Sequence, residues 1–137
     1  MTQSHTITKI GLVVIRERRL LVVRKDGSPW YILPGGRPEP NENDTMTLER
    51  EITEELSARL DVTSVSFIGT FSDRAANEPD SIVEIRLYNG EIQGLLLPAN
   101  EIVEYRWLDP ADALLREQLA PSIANQILPY LLTANLL

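Results

Sequence analysis

The feature that most constrains this chain is the passage from a proline- and glycine-rich loop into an amphipathic helix. The loop "PGGRPEPNEND", residues 34–44, contains three prolines and two glycines and cannot be helical. Beyond it, aliphatic residues recur every four positions, as in a buried helical stripe: Leu48, Ile52 and Leu56. Asn43 or Asp44 can cap this helix, and an acid in its first turn suits the helix dipole. The pattern predicts a helix that packs on a sheet, with an irregular loop at its N-terminal end.

Three carboxylates lie beside the aliphatic stripe: Glu51, Glu54 and Glu55. At about 100° per residue, they occupy an arc that adjoins the stripe and does not lie opposite it. The acids therefore point along the seam between helix and sheet, toward the loop that precedes the helix. A solvated acidic face is the alternative, because like charges at this spacing repel by only about 0.2–0.5 kcal/mol per pair.

Short segments rich in β-branched and aliphatic residues surround the helix and predict strands. The predicted strands span residues 7–15, 19–25, 30–33, 62–72, 81–89 and 101–107. The first two flank the charged turn "RERR" and predict a strand pair. "DPADALLREQL" and "PSIANQILPYLL" predict two short closing helices. This order predicts a layered α/β domain around a mixed sheet.

Length and charge limit the classes of function. The 137 residues fit a single domain, 1–137, and a composition of 43% hydrophobic and 24% charged residues is that of a globular protein. The net charge of −7 disfavours nucleic-acid polymers and anionic membranes as partners. The N-terminus lacks a signal-peptide core, and no apolar run reaches transmembrane length, so a cytoplasmic location is expected.

The residue types also limit the chemistry of a metal site. The chain contains no cysteine, and His5 is its only histidine, which excludes zinc–sulfur sites and histidine-based triads. Any metal must be held mainly by oxygen, and oxygen ligands favour Mg²⁺ or Mn²⁺.

The spacing of loop and helix residues resembles the Nudix box, G-x5-E-x7-R-E-U-x-E-E-x-G-U, where U is a bulky aliphatic residue. The residues that match are Gly36, Glu42, Arg50, Glu51, Ile52, Glu54 and Glu55. The strand pair before "PGG" and the segment "EIVEYRWLDP" after the box also look like this family. The resemblance implies a Nudix-type α/β/α sandwich around a mixed β-sheet.

The sequence departs from the family pattern at the end of the helix and in the loop. Ser57 replaces the usual glycine, and Ala58 stands at an aliphatic position. A serine there costs about 1 kcal/mol in a left-handed conformation or lets the helix continue. Asn41 stands where many members have glycine, and asparagine tolerates left-handed backbone. Neither change removes a carboxylate.

The resemblance implies roles for the residues of the box. Glu54 and Glu55 would bind Mg²⁺ or Mn²⁺ together with the backbone carbonyl of Gly35, and Glu51 would be a further ligand or the base that activates water. Arg50 would hold a carboxylate in position, with an ordinary ion pair to Glu54 as the alternative. Gly36 and Glu42 would have structural roles in the box. Glu42 would brace the loop or reach the metal through water.

A further acid outside the box is predicted to assist. Glu101 lies six residues before Trp107, where MutT-like members supply a loop carboxylate near the metal. Glu104 competes for this role, and a solvated strand edge is the alternative. Trp107 itself is expected in the core.

The resemblance also implies contacts with the substrate. Arg24 and Lys25 end the second strand, where family members often place a phosphate-binding cation, and solvated charge at the strand end is the alternative. Arg37 follows the glycines and could also reach phosphate. Trp30 could stack on a base, although aromatic residues are more often core. The same holds for Tyr31 and Phe71.

The resemblance implies an enzyme that splits a pyrophosphate bond in a nucleoside diphosphate linked to another group. A nucleoside triphosphate that yields monophosphate and pyrophosphate is the leading substrate. The alternatives are an ADP-ribose or nucleotide-sugar pyrophosphatase and a non-catalytic nucleotide sensor. Position 74 is arginine and positions 75 and 76 are alanine, so the proline of ADP-ribose enzymes and the tyrosine of diadenosine polyphosphate enzymes are both missing. A homodimer is possible.

Overall fold

A computed structural model describes residues 5–78 and 80–137 of the chain. The strands are β1 His5–Val13, β2 Ile15–Arg16, β3 Arg19–Lys25, β4 Tyr31–Ile32, β5 Gly35–Gly36, β6 Arg59–Arg74, β7 Ser81–Gln93 and β8 Ile102–Leu108. The helices are α1 Asp44–Leu56, α2 Ala113–Arg116 and α3 Leu128–Thr133, and a π-helical turn, Ile123–Ile127, leads into α3. No helix in these two ranges is long and apolar enough to span a membrane.

The strands form two four-stranded sheets. The first sheet has the order β5-β1-β7-β6. It is mixed, because β1 runs parallel to β7, whereas β1 with β5 and β6 with β7 are antiparallel pairs. In the second sheet β3 pairs with β2, β4 and β8, all antiparallel. The predicted α/β fold around a mixed sheet is confirmed.

Hydrophobic clusters lie on both sides of these strands. One joins the stripe of α1 to β1 and β3 through Ile10, Leu12, Leu21 and Val23. The other joins the opposite faces of the strands to α2, the π-helical turn and α3. Successive residues of β3 alternate between the two clusters, as the two-residue period of a strand requires. The helices therefore cover the sheets from both sides.

The predicted strand pair, residues 7–15 with 19–25, forms only at its tip. β2 pairs with the start of β3 around Glu17 and Arg18, whose positive φ angles of 51° and 60° are typical of a tight hairpin turn. The body of β1 pairs instead with β5 and β7 in the other sheet. Because both faces of β1 are buried, the sequence pattern does not indicate which strand is its neighbour.

Helix α1 agrees closely with its prediction. Asn43 is the N-cap, and its Oδ1 accepts a hydrogen bond from the Met46 amide at 2.8 Å. The helix ends at Ser57, which is left-handed at φ 57° and whose Oγ donates to the Leu97 carbonyl at 3.1 Å. The serine thus ends the helix as a glycine would. Asn41 also takes the left-handed conformation, at φ 69°.

An ion pair connects the first turn of α1 to β7. Asp44 accepts hydrogen bonds from Arg86 at 2.9 Å and 2.7 Å and from the Tyr88 hydroxyl at 2.5 Å. Arg86 and Tyr88 lie on the polar face of β7, which alternates with buried Val83, Ile85 and Leu87. These bonds hold the pKa of Asp44 below its usual value, mainly through the Arg86 hydrogen bonds, against the effect of burial. The N-terminal end of α1 is thereby fixed to the central sheet.

We expect Asp44→Asn to lower the free energy of unfolding by about 1–2 kcal/mol at pH 7. The charge-assisted bonds to Arg86 are lost, and partial exposure of both side chains reduces their value. Because the folded pKa of Asp44 is lowered, its contribution is present above pH 3.8, the usual value, and is lost as the pH falls through the folded pKa. Urea unfolding at pH 7 and pH 3 measures this difference.

Glu49→Gln is the matched control, because Glu49 is an exposed acid on the same helix. Its effect should stay within about 0.5 kcal/mol. An equal loss in both variants would show that the Asp44 ion pair does not stabilise the fold.

Candidate functional site

Two glycines bring the loop before α1 into direct contact with β1 and α1. Gly35 pairs with Gly11, and Gly36 pairs with Ile10, as a short edge strand. A Cβ on Gly35 would lie 2.0 Å from the Ile10 carbonyl oxygen, and Gly35 has φ 139°. A Cβ on Gly36 would lie 2.6 Å from the Glu51 carboxyl carbon. Only glycine allows the loop backbone and the Glu51 carboxylate to pack this closely.

Glu55 is the most deeply buried acid of the site, with 2% of its surface exposed. Its Oε1 accepts a hydrogen bond from the Gly35 amide at 2.9 Å. Its Oε2 is buried and has no hydrogen-bond partner among the described residues. Burial raises the pKa of Glu55 to about 8, and the Gly35 bond offsets only part of that effect. A buried carboxyl oxygen without a partner among the described residues is a candidate ligand for a cation.

Glu51 and Glu54 differ in their exposure to solvent. The Glu51 side chain is 14% exposed and accepts a bond from Arg50 Nη1 at 2.6 Å. Burial raises the pKa of Glu51, although Arg50 lowers it. The Glu54 side chain is 49% exposed and lies 3.3 Å from Arg50 Nη1. Glu54 is therefore free to turn, whereas Glu51 is held against Gly36.

Arg50 connects the loop to the acids. Its Nε and Nη2 donate to the two Glu42 carboxylate oxygens at 2.8 Å and 3.0 Å, and Nη2 also donates to the Arg37 carbonyl at 3.0 Å. Glu42 further accepts bonds from the Glu39 amide and the Thr47 hydroxyl. These bonds, led by the one from Arg50, lower the pKa of Glu42 to about 2. Glu42 thus braces the loop and orients Arg50.

The carboxylates offer the oxygen ligands that a hard cation prefers. Glu51 and Glu54 form ion pairs with Arg50. Within residues 5–78 and 80–137, no three acidic or histidine side chains converge on a single metal position. Besides the Gly35 amide, the charged groups that act on Glu55 are Glu51, Glu101 and Lys25. The carboxylate oxygens among them are the ligand type that Mg²⁺ or Mn²⁺ prefers.

Glu51 stands at the edge of a cavity of about 810 Å³, whereas Glu54 and Glu55 do not line it. Glu51 and Arg50 line it on one side, and Lys25, Arg37 and Glu101 line its mouth. Apolar or small residues form an inner wall, which comprises Gly11, Ile32, Val83, Ile85, Ala120 and Ile123, and the polar residues Ser28, Asn77 and Ser122 also line the cavity. A volume of this size fits a small organic ligand with one polar end.

The structure brings some of the predicted substrate residues to this cavity and not others. Lys25 and Arg37 line it and have acidic neighbours, Glu101 at 3.5 Å and Glu78 at 3.2 Å. Arg24 does not line it, because its guanidinium group binds Glu104 and the Ser28 carbonyl.

The predicted aromatic residues also lie away from the cavity lining. Trp30 is half-buried outside it. Tyr31 is buried, with its hydroxyl on Glu104, and Phe71 packs edge-on against Tyr130. Trp107 packs against the α1-side core, as expected, and lies beneath the Arg16 guanidinium.

Glu101 and Glu104 occupy different environments. Glu101 is exposed at the cavity mouth beside Lys25. Glu104 accepts hydrogen bonds from Arg24 at 2.5 Å and from the Tyr31 hydroxyl at 2.7 Å, and these bonds lower its pKa. Glu104 is held in a cluster with Arg24 and Tyr31, whereas Glu101 lines the cavity.

Sequence reasoning missed Lys9, which also lines the cavity. Residues 7, 9, 11 and 13 share one face of β1, and Ile7 and Val13 on that face are buried. A lysine in phase with buried residues of a central strand is the signal that could have identified it.

Comparison with known proteins agrees with this geometry. The NUDIX domain family model matches residues 6–131. The fold is similar to the E. coli ORF135 protein, with 20% identity, 96% of this chain and 94% of that chain covered, and a TM-score of 0.67. It is also similar to a NUDIX hydrolase from Nitrosomonas europaea, with 14% identity, coverage of 96% and 90%, and a TM-score of 0.76.

A third similar structure is a bifunctional NMN adenylyltransferase/ADP ribose pyrophosphatase from Francisella tularensis, with 17% identity and a TM-score of 0.67. The match covers 98% of this chain but 43% of that one. Among proteins of curated function, none matches this sequence. The family model spans nearly all of the chain and includes the glycine loop and the acids of α1. The chain therefore belongs to the Nudix family of pyrophosphohydrolases.

Proposed function

We propose that this chain hydrolyses nucleoside triphosphates to monophosphate and pyrophosphate with Mg²⁺ or Mn²⁺ as cofactor. The observation that carries this proposal is the placement of Glu51 and Glu55 against the Gly35–Gly36 backbone, beside a cavity that Lys25 and Arg37 also line. A candidate metal-binding acid, Glu51, and candidate phosphate-binding cations thus line the same cavity.

The metal would be held by Glu51, Glu54, Glu55 and the Gly35 carbonyl. The Oε2 of Glu55 supports this assignment, because a cation would supply the partner that the described residues do not. When bound, the metal would neutralise charge that develops on the phosphoryl oxygens. Metal binding would require Arg50 to share Glu51 and Glu54 with the cation. The hydrogen bonds from Arg50 to Glu42 would hold the guanidinium group in place.

The residues of the chain have distinct roles in the proposed reaction. Water attacks a phosphorus atom, the bridging P–O bond breaks, and the proton of the water passes to a glutamate carboxylate. Glu51 and Glu101 are the two candidates for this base, because both line the cavity. Lys25 and Arg37 would bind the phosphate chain, and the apolar inner wall would hold the nucleoside. Arg24 and Trp30 are left out of this scheme because neither lines the cavity.

The experiment that tests the proposal is a screen of nucleoside triphosphates, ADP-ribose and nucleotide sugars with Mg²⁺ or Mn²⁺. Release of pyrophosphate with a nucleoside monophosphate supports it. Turnover of ADP-ribose alone would favour an ADP-ribose pyrophosphatase, which is one of the two activities named for the Francisella tularensis protein. Tight nucleotide binding without turnover would favour a sensor, although Glu51, Glu54 and Glu55 are all present here.

Glu55→Gln should separate metal binding from folding. The variant replaces a desolvated carboxyl with a neutral amide, so without metal its melting temperature should equal or exceed that of the parent protein. Mg²⁺ should raise the melting temperature of the parent protein and leave that of Glu55→Gln unchanged. Calorimetry with and without Mg²⁺ measures both. Glu49→Gln is the control and should keep the full response to Mg²⁺.

Glu101→Gln and Glu104→Gln test the choice between the two acids. Glu101→Gln should lower kcat by about 10²-fold or more with little change in stability, because Glu101 is exposed at the cavity mouth. Glu104→Gln should lower the free energy of unfolding by about 1 kcal/mol, after allowance for partial exposure, and change kcat only a few-fold. Unchanged turnover in Glu101→Gln, with turnover abolished in Glu54→Gln, would remove Glu101 from the mechanism.

A further inference from the structure

Lysine is scarce in this chain and is confined to the cavity. Lys9 and Lys25 are its only lysines, among 13 basic residues, and both line the cavity. Lys25 projects from the end of β3 and has Glu101 as a partner at 3.5 Å. Lys9 lies in the middle of the first sheet, on β1, which pairs with both β5 and β7. Strand pairing on both sides therefore holds the backbone of Lys9 more rigidly than the backbone of a lysine in a surface loop.

The side chain of Lys9 lies on the inner face of β1. Its neighbour across the parallel pair is Ile85, which also lines the cavity. The antiparallel pair of Ile10 with Gly36 places Lys9 opposite the next loop residue, Arg37. Lys9 is thus beside the glycine loop, on the face of the sheet that forms the inner wall.

Lys9 is half-buried and has no ion pair or side-chain hydrogen bond with the residues that the structure describes. The charged groups that face it are two cations, Lys25 and Arg37, and two carboxylates, Glu78 and Glu55. Glu78 is already paired with Arg37, and Glu55 with the Gly35 amide. Burial lowers the pKa of Lys9, and the two cations lower it further. A desolvated cation without a partner, beside two other cations, is the environment that an anionic ligand would stabilise.

We propose that Lys9 binds the phosphate chain of the substrate and selects nucleoside triphosphates over diphosphates that are capped by a second sugar. This inference rests on the proposed function, because it names the substrate class of the same cavity. A terminal phosphate carries a charge of about −1.5 to −2 at pH 7, whereas a diphosphate capped at both ends has no terminal phosphate. Lys9 adds a third cation to Lys25 and Arg37, and the additional charge of a terminal phosphate is its natural partner.

The experiment compares Lys9→Met and Lys9→Arg with the parent protein. Methionine keeps the unbranched stem that packs against the cavity wall and removes the charge, while arginine restores the charge. We expect Lys9→Met to lower kcat/KM for nucleoside triphosphates about tenfold or more, and that for ADP-ribose less than threefold. Lys9→Arg should recover most of the activity on triphosphates.

A binding measurement keeps this test separate from the test of hydrolysis. Inorganic tripolyphosphate contains no nucleoside, and calorimetric titration with it reports phosphate binding even if the protein turns nothing over. The parent protein should bind tripolyphosphate about tenfold or more tightly than Lys9→Met does. Binding without turnover would reject the proposed hydrolysis and leave the assignment of Lys9 intact.

Three outcomes would overturn the assignment. Equal tripolyphosphate affinity in the parent protein and Lys9→Met would mean that Lys9 contacts the nucleoside or only the protein. An equal loss of kcat/KM on triphosphates and ADP-ribose would remove its role in selection. Absence of tripolyphosphate binding by the parent protein would also reject it. Circular dichroism and the melting temperature of each variant show whether a loss arises from unfolding.

Discussion

The site depends on the burial of Glu55 against the amide of Gly35. A carboxylate that is only 2% exposed is costly, and a single backbone hydrogen bond does not offset that cost. The aliphatic stripe of α1 fixes the helix on the sheet, and the Glu55 side chain is buried as a consequence. Across residues 5–78 and 80–137, one oxygen of this carboxyl group has no hydrogen-bond partner, and a divalent cation is the group that would supply one.

Arg50 keeps the remaining acids together. A guanidinium group matches a carboxylate through two parallel hydrogen bonds, and Arg50 forms that pair with Glu42. Its other donor reaches Glu51 and Glu54, and a bond to the Arg37 carbonyl ties the loop to the helix. Repulsion among the acids is small at each pair, but Arg50 offsets it and fixes Glu51 over Gly36. The loop, the helix and the Arg37 side of the cavity are therefore one connected unit.

The helix and its loop could be predicted in detail, whereas the pairing of the strands could not. Capping by Asn43, the buried stripe and the left-handed Asn41 all follow from local chemistry within a few residues. The position of β1 between β5 and β7 depends on residues more than seventy positions apart, such as Ile10 and Arg86. Its two faces are both apolar, so no pattern in the sequence distinguishes the possible partners. The same uncertainty concealed Lys9, whose importance depends on which strands enclose it.

The sequence by itself determined the family and limited the ligands of any metal mainly to oxygen, because these depend on residue type and on spacing within one loop and one helix. Only the tertiary structure decided which charged residues reach the cavity. Adjacent residues of a strand point to opposite faces, so Lys25 lines the cavity while Arg24 binds Glu104. Glu101, which precedes β8, and Glu104 are separated by their contacts with residues distant in the chain, Lys25 and Tyr31. Spacing identifies the groups that could act, and packing determines which of them face the ligand.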